Sequence, residues 1–494
     1  MKHIVKIIII LLCVLLFFNS CANSSSDKQE QDGNNSSVEI DEKENLENNT
    51  DNLLRDNVPQ ELDFGGYEYR VLTGEYTTFT NDLYPEGAIG EVLNDALYTR
   101  NKKIEERFNI TFSSTIINLF ELSGTMKRHV LAGENSYDMY MQRIQEIYSM
   151  LPLIYPIDDL LYVDITQPYW TQLINKQLSM GGKQYVAVSD EMLSFFEAAV
   201  VVYFNKKMGK DLNLDNFYEL VRNGTWTQDK FFEFAKQGIN DIDGNGELTK
   251  EDNWGILSEA DYLSVTFWIS AGAYMVDKDE NDMPYFAVPG RQIFFDIGSK
   301  AIEQTNLKGI YIPGSSALLS GYSGNPTDKR LSFFKARHGL FSVGGMDEMK
   351  HLRDMDDDFG VIPFPKYTEN QPQHYTRICG GFPFVIPTTN QQPEIAGALL
   401  EAMACETRNT VIPAYYDSSL KDKHSRDDDT LEMLDLIYNT RVFDLGDTVW
   451  FDPIRVGYTR VFDSGKDTFA SFTERNMERY KKIIANTFEN IVGN

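Results

Sequence analysis

Residues 64–73 read Phe-Gly-Gly-Tyr-Glu-Tyr-Arg-Val-Leu-Thr, and together with the fifty residues that follow they decide the fold class. Tyr67, Tyr69 and Val71 alternate with Glu68, Arg70 and Leu72 after a Gly-Gly turn, which is the two-residue period of a strand. Between Glu91 and Phe108 the apolar residues Val92, Leu93, Ala96, Leu97, Ile104 and Phe108 fall near helical spacing, and Ile110 to Ile116 is again β-branched and aromatic. Strand, helix, strand is how an α/β lobe begins. The pattern continues with an apolar helix stopped at Leu131-Ala132-Gly133 and a short strand from Tyr137 to Met141. A second set of α/β parts follows: Phe204-Asn205-Lys206-Lys207, a helix over Thr227–Gln237 and a strand over Gly339–Val343. Late helices are expected over Pro393–Ala404, Thr430–Tyr438 and Thr473–Val492, and no repeat of fixed period is present.

The N-terminus carries Lys2, His3 and Lys6, then an apolar run from Ile7 to Phe18, then Asn19-Ser20-Cys21. The run is shorter than the ~20 residues of a permanent span, so it reads as a removed signal peptide, residues 1–20. Phe18-Asn19-Ser20-Cys21 resembles a bacterial lipobox, which makes Cys21 the expected site of lipidation. Residues 21–61 are polar and acidic and are expected to form a disordered tether. Only Cys379 and Cys405 remain in the folded part, too few for a disulfide framework.

From Leu62 onward there is material for two or three domain-sized cores, with 42% hydrophobic and 13% aromatic residues in the chain. The formal net charge of −28 becomes −30 once Lys2 and Lys6 leave, and such a field repels phosphate backbones, which argues against nucleic-acid binding. His-Glu-x-x-His, Gly-x-Ser-x-Gly and Walker-type motifs are missing, and there are six histidines in all, so no enzyme is expected.

Asp63-Phe64-Gly65-Gly66-Tyr67, Arg100-Asn101, Glu106-Arg107-Phe108-Asn109, Tyr203-Phe204-Asn205-Lys206-Lys207, Asp358 to Lys366, Phe384-Val385-Ile386-Pro387 and Pro413-Ala414-Tyr415-Tyr416 occur in an order that resembles the extracellular solute-binding proteins of ABC importers, the large sugar-type lipoproteins of Gram-positive bacteria. The resemblance covers most of the chain. It implies a two-lobed α/β fold of the periplasmic-binding-protein type 2, each lobe a mixed sheet flanked by helices, with a hinge crossed more than once. By motif order, lobe 1 would take 62–188 and 382–425, and lobe 2 would take 193–378 and 430–494, with crossings at Val188-Ser189-Asp190 and Arg377 to Gly381. It further implies a monomer on the outer face of the cell membrane that captures a sugar or oligosaccharide between its lobes and hands it to ABC permease subunits. Two rivals stay open: a secreted carbohydrate-active hydrolase, which needs only two positioned carboxylates, and a surface glycan-binding adhesin without a permease.

Asp241-Ile242-Asp243-Gly244-Asn245-Gly246-Glu247-Leu248-Thr249-Lys250-Glu251-Asp252 has the spacing of an EF-hand-like calcium loop. Asp241, Asp243 and Asn245 supply oxygens at positions 1, 3 and 5, Gly246 allows the bend, Glu247 offers its backbone carbonyl, and Asp252 stands where a longer glutamate is usual. A structural calcium ion is expected; an acidic Asn-Gly turn without metal is the plain alternative.

Sugar recognition uses aromatic platforms and carboxylate, amide or guanidinium groups. The candidates are Asp190 and Arg377 at the crossings, Trp268 and Tyr274 around Ser270-Ala271-Gly272, and Gly344-Gly345-Met346, where paired glycines after a strand would let a ligand approach the backbone. Trp268 lies in Val-Thr-Phe-Trp-Ile and reads equally well as a core residue, and Arg377 as a partner for a carboxylate.

Overall fold

The computed structural model describes residues 53–75, 79–80, 83–419 and 428–492. The signal segment and Cys21 lie outside the described residues, as does most of the tether. The tether's expected end at residue 61 is corrected: Leu54 exchanges hydrogen bonds with the Asn409 amide at 3.0 and 2.9 Å, Asp56 pairs with Arg107 at 2.7 Å, and Val58 is buried. A polar average over forty residues conceals that its last eight carry two apolar anchors and an ion-pair partner.

The opening strand–helix–strand unit forms as read. β1 (Tyr67–Glu75) and β2 (Ile110–Asn118) pair in parallel from Tyr67↔Ile110 to Glu75↔Asn118. The helix Val92–Phe108 connects them, burying Leu97, Ile104 and Phe108, and it stops where Asn109 enters the left-handed region at φ 50°. β3 (Met139–Met141) pairs on the other side of β1, and β12 (Phe384–Val385) closes that edge antiparallel to β3. The sheet order is β12-β3-β1-β2, so a strand some 240 residues away in the chain completes the first sheet.

The second sheet has the order β10-β4-β9-β5-β8, from β4 (Val200–Asn205), β5 (Trp254–Ser258), β8 (Tyr311–Pro313), β9 (Gly339–Gly345) and β10 (Phe359–Pro363). β5 runs parallel to β8 and β9, while β4 runs antiparallel to β9 and β10, which makes it a mixed sheet. β4, β5, β9 and β10 are buried along their whole length, the edge strand β8 only partly, and the helices Gln228–Gln237, Ala260–Ser270 and Pro326–Lys335 pack around them. Two smaller ladders join β6 (Val276–Lys278) to β7 (Pro284–Phe286) and β11 (Thr376–Arg377) to β13 (Arg441–Val442).

After β12 the helix Pro393–Glu406 returns to the first lobe, where Glu401 takes hydrogen bonds from the Tyr169 hydroxyl at 2.5 Å and the Trp170 indole at 2.9 Å. The helix Asp428–Asn439 then packs beneath β10 of the second lobe, with Tyr218 and Thr430 hydroxyls 2.8 Å apart. The long final helix Phe469–Val492 lies against the helix Gln292–Thr305 and reaches the first lobe through Phe488, whose ring meets Tyr148 and Trp450. Among the described residues no helix is long and apolar enough to cross a membrane, and Cys379 and Cys405 are both free thiols.

Trp268 belongs to the core of the second lobe, a correction to its candidacy as a sugar platform. It is 1% exposed, stacks on Phe294 at 4.6 Å, is edged by Tyr458 and Phe469, and donates its indole N–H to the Phe294 carbonyl at 2.8 Å. Truncation to alanine would leave a large void, so Trp268→Ala is expected to lower unfolding free energy by about 3–5 kcal/mol, seen as a lower urea midpoint at unchanged slope.

Candidate functional site

Two stretches of backbone join the lobes side by side. The first comes through Ser189 to Ala199; the second comes through β11, which lies parallel to β13, continues the ladder with Ile378 N–H to the Val442 carbonyl at 3.0 Å, and bonds the first stretch through Cys379 N–H to the Ala198 carbonyl at 3.2 Å. Both sequence-predicted hinge residues sit here, and both are turned inward.

Arg377 is 1% exposed. It forms a bidentate pair with Asp447 at 2.6 and 2.8 Å, and it donates to the carbonyls of Asp261 at 2.8 Å and Tyr262 at 3.0 Å at the start of the helix Ala260–Ser270. Each of its three nitrogens donates to the protein, so Arg377 pins the hinge and is turned away from any ligand surface, correcting the expectation. Asp190 is 3% exposed and accepts from the Tyr438 hydroxyl, with Arg441 at 3.6 Å and Arg408 at 3.9 Å. Arg408 and Arg441 cover the Tyr438 ring, each 4.0 Å from its centre. Burial raises the Asp190 carboxyl against the lowering pull of Arg441. It too is a structural clamp, and this corrects its reading as a ligand group.

Gly344 and Gly345 end β9, opposite Val201 and Val200. A Cβ on Gly344 would stand 2.0 Å from a Glu348 carboxylate oxygen and one on Gly345 2.2 Å from Asp347, so the glycines make room for the protein's own carboxylates and not for a ligand. Met346 is fully buried, its N–H bonded to the Ala199 carbonyl at 2.8 Å. Tyr274 is half-buried against the second lobe's core. The sequence-predicted ligand residues therefore do not converge on one surface.

Between the lobes lies a cavity of about 280 Å³ whose wall includes Thr80 and Val92 of the first lobe, Tyr415 of the helix Ile412–Ser419, Glu197 of the hinge, and Lys350 and Arg353 beyond β9. Glu197 is 2% exposed and accepts from the Thr80 amide and hydroxyl, both at 2.8 Å. Burial pushes its carboxyl up to about 7 despite those bonds. Asp347, next to it, is pushed up to about 8 by burial and then by Glu348 and Glu197. Sequence reading missed Glu197, Lys350 and Asp347. The one local signal was the Gly-Gly pair, which marks the space these carboxylates fill.

The acidic loop folds as its spacing suggests. Asp241 accepts from Gly244 N–H at 2.8 Å and Gly246 N–H at 2.7 Å, both glycines at positive φ, Asn245 accepts from Glu247 N–H at 2.7 Å, and Asp252 accepts from Ile242 N–H at 2.9 Å and Thr249 N–H at 2.8 Å. Carboxylate oxygens of Asp241, Asp243 and Asp252 come within 4.8 Å of one another. The donor set is all oxygen, which suits a hard cation. Glu247 contributes no carboxylate to this group.

No family model matches the chain, and no curated protein matches it in sequence. Solved structures do. An extracellular solute-binding protein of Staphylococcus aureus, solved with maltose, aligns with a TM-score of 0.56 at 10% identity over 86% of this chain and 98% of its own. The ABC substrate-binding protein Lmo0181 of Listeria monocytogenes, solved with cycloalternan, aligns at 0.52, 13% identity, 86% and 99%. A cyclo/maltodextrin-binding protein complexed with maltotetraose aligns at 0.55, 16% identity, 87% and 99%. This is the fold of the two-lobed ABC solute-binding proteins. All three are binding proteins, and the two-lobed solute-binding fold places the cavity at Glu197 between two α/β lobes, beside the hinge.

Two outcomes follow from the hinge and its neighbours. Arg377→Met strands Asp447 without its partner and should cost about 3–5 kcal/mol of stability, measured by urea unfolding. Burial also holds Glu191 and Asp444 up at about 7, from ordinary values of 4.5 and 3.8. Carboxyls raised in the folded state bind more protons there than in the unfolded chain, so their contribution is complete below the unfolded values and disappears as pH rises through about 7. The urea midpoint should fall between about pH 5 and pH 8, and Glu191→Gln should flatten that decline.

Proposed function

We propose that this chain is the substrate-binding lipoprotein of an ABC importer, tethered through Cys21 on the outer face of the cell membrane, where it captures a sugar or oligosaccharide between its lobes and delivers it to permease subunits. The observation that carries this reading is the polar cavity at Glu197, walled by both lobes beside a hinge of two adjacent stretches of backbone and lying in the fold of proteins solved with maltose, cycloalternan and maltotetraose. A ligand held from both sides favours the closed arrangement by its differential affinity for it, which is what a receptor that must signal occupancy requires. Tyr415 and the charged groups Glu197, Lys350 and Arg353 supply the aromatic face and hydrogen-bonding groups that hydroxyls need. The role is non-catalytic and the protein acts as a monomer.

A calcium ion held by Asp241, Asp243, Asn245, Asp252 and the Glu247 carbonyl would tie the loop after the helix Gln228–Gln237 to β5, since Asn240 and Asn253 already pair across its base. Its part is structural.

Thermal unfolding against a panel of mono- and oligosaccharides tests the first reading: a saturable rise in midpoint with one glycan and no product is expected, whereas hydrolysis of the glycan, or no response to any saccharide, rejects it. Calcium should raise the midpoint in wild type and not in Asp241→Asn/Asp243→Asn; an equal response in both rejects the metal.

A further inference from the structure

Tyr480 is 1% exposed and stands on the wall of a groove of about 470 Å³ between the helix Val456–Asp463 and the final helix Phe469–Val492. Its ring packs on Phe286 at 5.2 Å and Phe472 at 6.4 Å, but its hydroxyl forms no hydrogen bond with any described residue. Buried tyrosines ordinarily set that group on a partner, as Tyr458 next to it does with the Thr473 hydroxyl at 2.7 Å. The Tyr480 hydroxyl meets the groove instead, and Gly457 keeps it uncovered: a Cβ there would stand 2.8 Å from the hydroxyl oxygen and 2.5 Å from the Phe472 ring. Burial raises the hydroxyl above its usual value, so at neutral pH it holds its proton and can donate.

The same wall carries two guanidiniums, those of Arg460 and Arg479, and neither makes an ion pair or a side-chain hydrogen bond among the described residues. Partners are not scarce, since the chain holds 74 acidic residues against 46 basic ones. Arg455, just before the helix Val456–Asp463, reaches Asp447 at 3.7 Å and lies over the Phe451 ring. Asp452 is the one acid on the groove wall, and it pairs with neither guanidinium. Donors from Arg460, Arg479 and Tyr480 therefore border one groove with no acceptor supplied by the protein. Guanidinium forks match the oxygens of phosphate and carboxylate, and a phenolic O–H adds a further donor to the same kind of group.

We infer that this groove is a second binding site, one that takes a small organic anion: Arg460, Arg479 and the Tyr480 hydroxyl receive its phosphate or carboxylate, and its carbon skeleton lies against Phe472. None of these residues belongs to the cavity at Glu197, so the site is independent of what is captured there. The net charge of −28 acts through salt, which screens it beyond about 8 Å at physiological ionic strength, whereas groups in contact escape that screening.

Calorimetric titration of the protein with phenyl phosphate, benzoate and phenol tests this, with phosphatidylglycerol vesicles as the membrane source of the same phosphate chemistry. Phenyl phosphate or benzoate is expected to bind saturably at one site, at least about tenfold tighter than phenol, which carries the ring without the charge. Arg460→Gln/Arg479→Gln should weaken that binding at least about tenfold, and Tyr480→Phe, which keeps the ring packing and removes one oxygen, about threefold. Both guanidiniums are on the surface, so the unfolding midpoint and any response to saccharide should stay as in wild type. Wild type that binds neither aromatic anion, or binds both as weakly as phenol, overturns the inference, and so does equal affinity in wild type and the double-glutamine variant. Binding to the vesicles with neither soluble anion bound overturns the small-molecule site as well.

Discussion

A guanidinium that is almost completely enclosed has to find an acceptor for each of its N–H groups, and at Arg377 those acceptors come from two separate segments of chain. Asp447 supplies both carboxylate oxygens, while the first turn of the helix Ala260–Ser270 supplies two carbonyls and the Thr266 hydroxyl. An unpaired buried charge costs several kcal/mol, so these segments dock together or none does. The ladder of β11 with β13 is aligned by that pair, and the Asp190–Tyr438–Arg441 cluster secures the neighbouring crossing. The second lobe is thereby set at a fixed place on the hinge, and the cavity beside it inherits its shape.

The same physical rule explains why hinge and cavity look so different in their charges. Each nitrogen of the Arg377 guanidinium is matched by the protein, which suits a part that must keep its geometry. Near the end of β9 one Glu348 oxygen is buried without a donor, and Asp347 and Glu197 stand close by. Unmatched polar groups in a protein interior are costly. Gly344 and Gly345 take part in both roles, continuing the ladder to β4 while clearing the space for the two acids.

Much of the fold was legible because it is governed by short-range periodicity. The alternation over Tyr67–Thr73, the apolar spacing over Glu91–Phe108 and the β-branched run after Ile110 each appear as the element they announce, and the order of motifs indicated a chain that returns to its first lobe, as β12 does. The turn of the acidic loop Asp241–Asp252 was equally readable, since twelve consecutive residues carry their own geometry. The site was not legible. Trp268, Asp190 and Arg377 carry the chemistry of sugar recognition, but whether such a side chain faces a cavity or a core depends on residues distant in the chain: Phe469 for the first, Tyr438 for the second, Asp447 for the third.

What the sequence determined by itself was therefore local: the alternating and helical periods, the lobe-building units, the acidic loop and the net negative charge. Tertiary structure alone decided which acids are buried together, because that requires Glu197, Asp347, Glu348 and Arg330 to be carried from separate elements into one region, where burial and mutual repulsion raise Glu197 and Asp347 and no nearest-neighbour pattern records the outcome.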